Sequence, residues 1–272
     1  MQYGIGAVRI SEAFFTFDHS TEFLLGHPMD PGPTSAIEKG PWHYGADYVA
    51  SYFEGDPSKL RDLLPVDFEV DDGRCMAYVC EIVSIPEGDP EAVATHPDRT
   101  LYHEAALGIG CRFGAVRGIF FPVMWVTTEW SLLRGLLNGY QKRLADKIYM
   151  TKLHPLNPGL KPLGPGTKLS GFCIKGLETT LSLEVTIENK GTSGDLPSFG
   201  RTFGLRMFPR TAAAQSEVRE PVEILKSNAG FSDVWLGTAS LETTLDVGTP
   251  KHLKGSFYRG GFTISGSKPL RR

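Results

Sequence analysis

Residues 181–188 alternate strictly. Leu181, Leu183, Val185 and Ile187 are apolar, and Ser182, Glu184, Thr186 and Glu188 between them are polar. Only an extended chain puts residues two apart on one side, so this stretch predicts a strand with one buried and one wet face. Such a strand needs neighbours, and the sequence offers them. Asp47 to Phe53, about Cys75 to Val83, Phe199 to Phe208 and Asp233 to Leu245 also read as strands. Gly118 to Val126 is apolar throughout, as a strand buried on both faces would be. The 31 glycines and 19 prolines show no three-residue period and supply the turns between strands.

Helix signals are few. Asp56 can cap a short helix that admits Pro57 at its first position and stops at Pro65. Leu132, Leu133, Leu136, Leu137 and Tyr140 share one helical stripe, which predicts a helix over Ser131 to Tyr140 with that stripe toward the core. Residues 86–100 and 154–166 read as loops and 1–39 as an irregular N-terminal extension. No composition shift marks a linker, so residues 1–272 are expected to form a single domain. The fold class is α+β, mainly β: one antiparallel sheet system with a few short helices.

With 41 % hydrophobic residues the chain can bury a sizeable core. A net charge of −3 gives no positive field for phosphate backbones, so no nucleic-acid partner is expected. No apolar run is long enough for a membrane-spanning helix, and the start lacks a signal-peptide pattern. The four cysteines are too sparse for a disulfide framework, and a cytoplasmic protein with reduced thiols is the expectation. Cys75 and Cys80 fall on opposite faces of one strand, and the histidines show no metal-ligand spacing. No metal and no organic cofactor is expected.

Chemistry concentrates in Gly139-Tyr140-Gln141-Lys142-Arg143-Leu144. A lysine beside a second cation in an apolar pocket has its ammonium form disfavoured by burial and by like charge. Its free amine can then attack a ketone to form a Schiff base. The competing reading is a solvated Lys-Arg pair behind a helix end; if the helix ran on, Lys142 would face away from the leucines.

The hexamer resembles the Tyr-Pro-Lys-Lys-Leu-Gly segment of acetoacetate decarboxylases, whose first lysine forms the Schiff base. Further blocks are similar in the same order. Gly40-Pro41-Trp42 and Asp47-Tyr48 resemble the family's early Gly-Pro-Tyr and Glu-Tyr. Asp56 to Pro65, followed by Phe68-Glu69-Val70-Asp71, resembles its helix and the run after it. Tyr102-His103-Glu104 resembles Tyr-Thr-Glu at a matching distance from the lysine. Arg201 to Pro209 and Trp235-Leu236-Gly237 resemble later strands. The resemblance spans roughly residues 40 to 245.

It implies a closed antiparallel β-barrel holding Lys142 inside, in a homo-oligomer that takes a small-molecule keto acid. It assigns Lys142 as the Schiff-base lysine, Glu104 as the proton-handling carboxylate and Arg143 as the neighbouring cation. Gln141, Glu81, Tyr78 and Tyr258 are candidate substrate contacts, with Tyr78 or Glu81 filling the family's earlier glutamate position. The family's arginine before the first-strand Glu-Tyr is Ala46 here, which argues against acetoacetate itself. Three activities stay open: decarboxylation of another β-keto acid, condensation of a 2-oxo acid such as pyruvate with an aldehyde through the same lysine, and non-catalytic binding of an apolar molecule. Glu129 is a further candidate that could equally serve the start of its helix.

Overall fold

The computed structural model describes residues 36–210 and 217–271, and the expected irregular segment lies outside them as far as residue 35. Eleven strands belong to one sheet. They are β1 (Trp42–Glu54), β2 (Glu69–Pro86), β3 (Leu101–Phe113), β4 (Val116–Val126), β5 (Lys142–Leu144), β6 (Lys147–Met150), β7 (Lys168–Lys175), β8 (Glu178–Lys190), β9 (Arg201–Phe208), β10 (Val218–Thr243) and β11 (Lys251–Pro269). Among the described residues three α-helices interrupt them: α1 (Pro57–Leu63), α2 (Ala92–Thr95) and α3 (Glu129–Asn138).

The sheet closes on itself. The order β11-β1-β2-β3-β4-β9-β10 returns to β11 through a β10–β11 pairing, which makes a ring of seven strands. β8, β7 and β6 continue from β10 outside that ring. β10 manages both roles because it is 26 residues long. Its first part pairs β9 and its last part pairs β8, with register shifts against β11 at three places. Such bulges bend a strand and let it leave one neighbour for another. The expected antiparallel pattern holds except at β4, which pairs in parallel with both β9 and β5.

Most ring strands are buried on both faces, so alternation sorts their side chains into two cores. Val49, Ala77, Val79, Ala105, Leu107, Val123 and Trp125 join the first core, together with Leu181, Leu183, Val185 and Ile187 of β8. Tyr48, Ala50, Tyr78, Cys80, Ala106, Met124 and Val126 point into the second, inside the ring. Cys75 and Cys80 accordingly lie in different cores. The apolar run 118–126 is β4, covered on both sides.

Asp56 caps α1 by accepting a hydrogen bond from the Ser58 N–H, as the sequence suggested. The expected loop 86–100 instead holds α2 and a single 3₁₀ turn at Pro97–Arg99. α3 departs from expectation in its orientation. Its buried residues are Trp130, Ser131, Arg134 and Gly135, while Leu132, Leu133, Leu136 and Leu137 are half-buried. The helix turns its small and polar side toward the ring interior, because that side borders a cavity with charged groups. No helix among the described residues is long and apolar enough to cross a membrane.

Candidate active site

The turn after α3 decides where Lys142 points. Gly139 ends the helix at φ 101°, a left-handed conformation that glycine adopts without penalty. Its N–H donates to the Gly135 and Leu136 carbonyls, and the chain then reverses into β5. β5 runs beside β4 with Lys142 paired to Met124. Lys142 therefore leaves the helix pattern, and strand alternation carries its side chain into the ring on the face of Met124 and Val126. Glu104 on β3 is paired to Val126. The two charged residues thus stand on the same face, two positions apart along β4.

Their side chains meet. Lys142 Nζ lies 2.8 Å from Glu104 Oε2, and the residues are 9 % and 4 % exposed. Nζ also donates to Ser131 Oγ at 3.0 Å. The other Glu104 oxygen, Oε1, accepts from the Tyr78 hydroxyl at 2.7 Å. The Tyr102 ring centroid lies 5.3 Å from Nζ and that of Tyr140 6.0 Å away. Gly135 leaves the space for this side chain, since a Cβ there would come within 2.3 Å of Lys142 Cδ.

Burial lowers the Lys142 pKa from the ordinary lysine value; Glu104 opposes this and Arg134 assists it, and burial prevails. Burial likewise raises the Tyr78, Tyr102 and Tyr140 hydroxyls well above the usual range, with Glu104 adding to each. These tyrosines stay protonated and can act as donors. The amine, carboxylate and phenol form a connected path along which a proton can move over hydrogen-bond distances.

A cavity of about 230 Å³ opens beside this path. Aromatic rings form much of its wall, including Tyr48, Phe121 and Tyr258. Tyr258 stacks on Tyr48 at 4.8 Å between ring centroids. Arg134 also borders it and is 4 % exposed. The Trp42 ring lies 3.7 Å from its guanidinium carbon, and Nη2 donates to Ser84 Oγ at 3.1 Å. Nη1 is buried with no hydrogen-bond partner. An unpaired charged donor is costly to bury.

Of the residues singled out in the sequence, Lys142, Glu104, Tyr78 and Tyr258 come together at this cavity. Three others do not. Arg143 is exposed, because strand alternation turns it away from Lys142; the cation that acts on Lys142 is Arg134. Gln141 spends its amide on the Gly139 and Leu205 carbonyls, which ties β5 to β9. Glu81 follows Cys80 and so faces the other way, pairing with Lys152 at 2.5 Å and His103 at 3.3 Å. Glu129 is exposed in the first turn of α3. Ser131 and Arg134 were not among the expected site residues. Their signal is the helical spacing of Trp130, Ser131, Arg134 and Gly135, which the more conspicuous leucines obscure. No cluster of three or more His, Cys, Asp or Glu among the described residues is arranged to hold a metal ion.

Comparisons with known proteins place this strand-rich chain in a known family. The acetoacetate decarboxylase family model matches residues 27–271, and the chain belongs to that family. An acetoacetate decarboxylase-like enzyme from Sphingomonas wittichii RW1 is 36 % identical with a TM-score of 0.83; the match covers 88 % of this chain and 96 % of that one. The enduracididine biosynthesis enzyme MppR, solved in complex with pyruvate, is 21 % identical over 88 % of this chain and 94 % of its own, with a TM-score of 0.77. Acetoacetate decarboxylase from Legionella pneumophila is 15 % identical over 86 % and 88 %, with a TM-score of 0.69. These last two share the fold. No curated protein matches the chain.

Proposed function

We propose that this protein is a Schiff-base-forming carbon–carbon lyase that acts on a keto acid through Lys142. The observation that carries the reading is the buried Lys142 amine, held 2.8 Å from Glu104 with its pKa lowered by burial. The first reading is decarboxylation of a β-keto acid other than acetoacetate. The neutral amine attacks the keto carbon, and the carbinolamine loses water to give a protonated imine. The bond to the carboxylate carbon breaks, and its electron pair moves toward the iminium nitrogen. Carbon dioxide leaves and an enamine remains. Protonation at carbon and addition of water return the ketone and the free amine. Glu104, with Tyr78 behind it, accepts and returns the protons.

The guanidinium of Arg134, which borders the cavity, favours a second reading on the same lysine. A guanidinium that holds a carboxylate stabilises it in place, which suits a 2-oxo acid that keeps its carboxylate. The imine of such an acid loses a proton from the adjacent carbon, the enamine adds to an aldehyde, water is then lost, and hydrolysis of the product imine frees the Lys142 amine. Turnover separates the two. Carbon dioxide release from a panel of 3-oxo acids, above the spontaneous rate and lost in Lys142→Ala, supports decarboxylation. Consumption of pyruvate and an aldehyde without carbon dioxide release supports condensation. Neither reaction with any panel member, from folded protein, contradicts both.

A further inference from the structure

The cavity has a third cation, on β10. Lys226 borders it, and its ammonium stands 4.8 Å from the centroid of the Phe262 ring. Phe262 stacks on Tyr44 at 5.0 Å, and the Tyr44 ring lies 5.4 Å from the Arg134 guanidinium carbon. The stacked pair therefore has Arg134 near one ring and Lys226 near the other. Lys226 is exposed, like Phe231 and Ala229, which border the cavity on the same irregular stretch of β10; it stands at the mouth. Among the described residues no carboxylate lies within ion-pair distance of it. Among the described residues Glu104 is the one acidic side chain that lines the cavity, and it is engaged by Lys142 and Tyr78. An exposed lysine is a cation at neutral pH, so the ammonium is available to an anion.

We infer that Lys226 is an anion subsite and that the keto acid taken here carries a second carboxylate at the end remote from its reacting carbonyl. This rests on the proposed reading for the position of the carbonyl. One carboxylate faces Arg134, the carbonyl faces Lys142, and the far carboxylate reaches Lys226 at the mouth. The wall between is aromatic and gives the connecting carbons apolar cover. Lys226 would set which substrate is chosen and takes no part in bond making.

Binding of two inert five-carbon acids tests the subsite without Schiff-base chemistry. Glutarate has two carboxylates and pentanoate one. Calorimetry on the full chain is expected to show glutarate bound about tenfold more tightly, as one charge-assisted contact supplies. Lys226→Gln should bring the ratio to about one, Lys226→Glu should invert it, and Lys226→Arg should keep it. Equal affinities in the native protein, or a ratio unchanged in Lys226→Gln, overturn the inference. Borohydride treatment with 2-oxoglutarate and 2-oxopentanoate separates this from the lysine chemistry. A glutarate preference that depends on Lys226, without any Lys142 adduct, supports the subsite and contradicts the Schiff-base reading. A Lys142 adduct without discrimination between the two acids, or with discrimination that survives Lys226→Gln, overturns the subsite alone.

Discussion

Lys142 is pulled in opposite directions by its neighbours. Glu104 favours the ammonium, while burial and Arg134 favour the free amine. Removing each charge separately should therefore move the basicity of Lys142 in opposite senses. Glu104→Gln takes away an influence that raises the pKa, so the pH midpoint for reaction of the amine should fall further below that of ordinary lysine. Arg134→Gln takes away an influence that lowers it, so the midpoint should rise. Competitive labelling of Lys142 across a pH series, read by peptide mass, measures both. Shifts of the same sign would contradict the electrostatic account. Sequence adjacency suggested that Arg143 supplies this charge. In a strand, however, consecutive residues face apart, and the cation that acts on the amine is Arg134, eight residues earlier on α3.

The α3–β5 unit turns a surface-style Lys-Arg pair into an interior lysine. Two glycines make that possible, by different means. Gly139 reverses the chain with a positive φ, and Gly135 gives up the volume that the Lys142 side chain fills. Gly135→Ala places a Cβ against Lys142 Cδ and Cε, at 2.3 and 2.6 Å. Lysine is flexible, so the side chain should yield before the helix does. The expected result is a loss of about 1–3 kcal/mol of stability together with a return of Lys142 toward ordinary basicity. Denaturant titration and the same labelling experiment read the two effects. The sequence makes the helix legible through its leucines and its end legible through Gly139. It hides the orientation, because four half-buried leucines look like a core stripe. The smaller stripe of Trp130, Ser131, Arg134 and Gly135 is the one that packs inward. Period alone cannot separate a face covered by a core from a face that borders a polar cavity.

Across the whole molecule the ring divides structural and chemical work between its two faces. Phe68 belongs to the core outside the cavity, fully buried and in contact with Phe113, Phe120 and Phe203 at 5.1–5.9 Å between centroids. Phe68→Ala should cost about 3–5 kcal/mol, seen as a lower Tm. Below that temperature it should leave the labelling profile of Lys142 unchanged, because Phe68 belongs to the first core and does not line the cavity. The strands were legible because alternation and uniform apolarity translate directly into one or two buried faces. Closure of the ring was legible only through the family resemblance and not from alternation, since it depends on the bulged path of β10 and on the parallel pairing of β4 with β9, which join residues far apart in the chain.

The reactivity of the Lys142 amine can be tested directly. The folded protein is treated with borohydride in the presence of a keto-acid panel, then read by intact mass and peptide mapping, with Lys142→Ala alongside. A reduced adduct on Lys142 alone is expected, and none in the variant. The mass added distinguishes an intact 2-oxo acid from a ketone that has already lost carbon dioxide. Folded protein that forms no adduct with any member, or forms it equally in Lys142→Ala, would contradict the account.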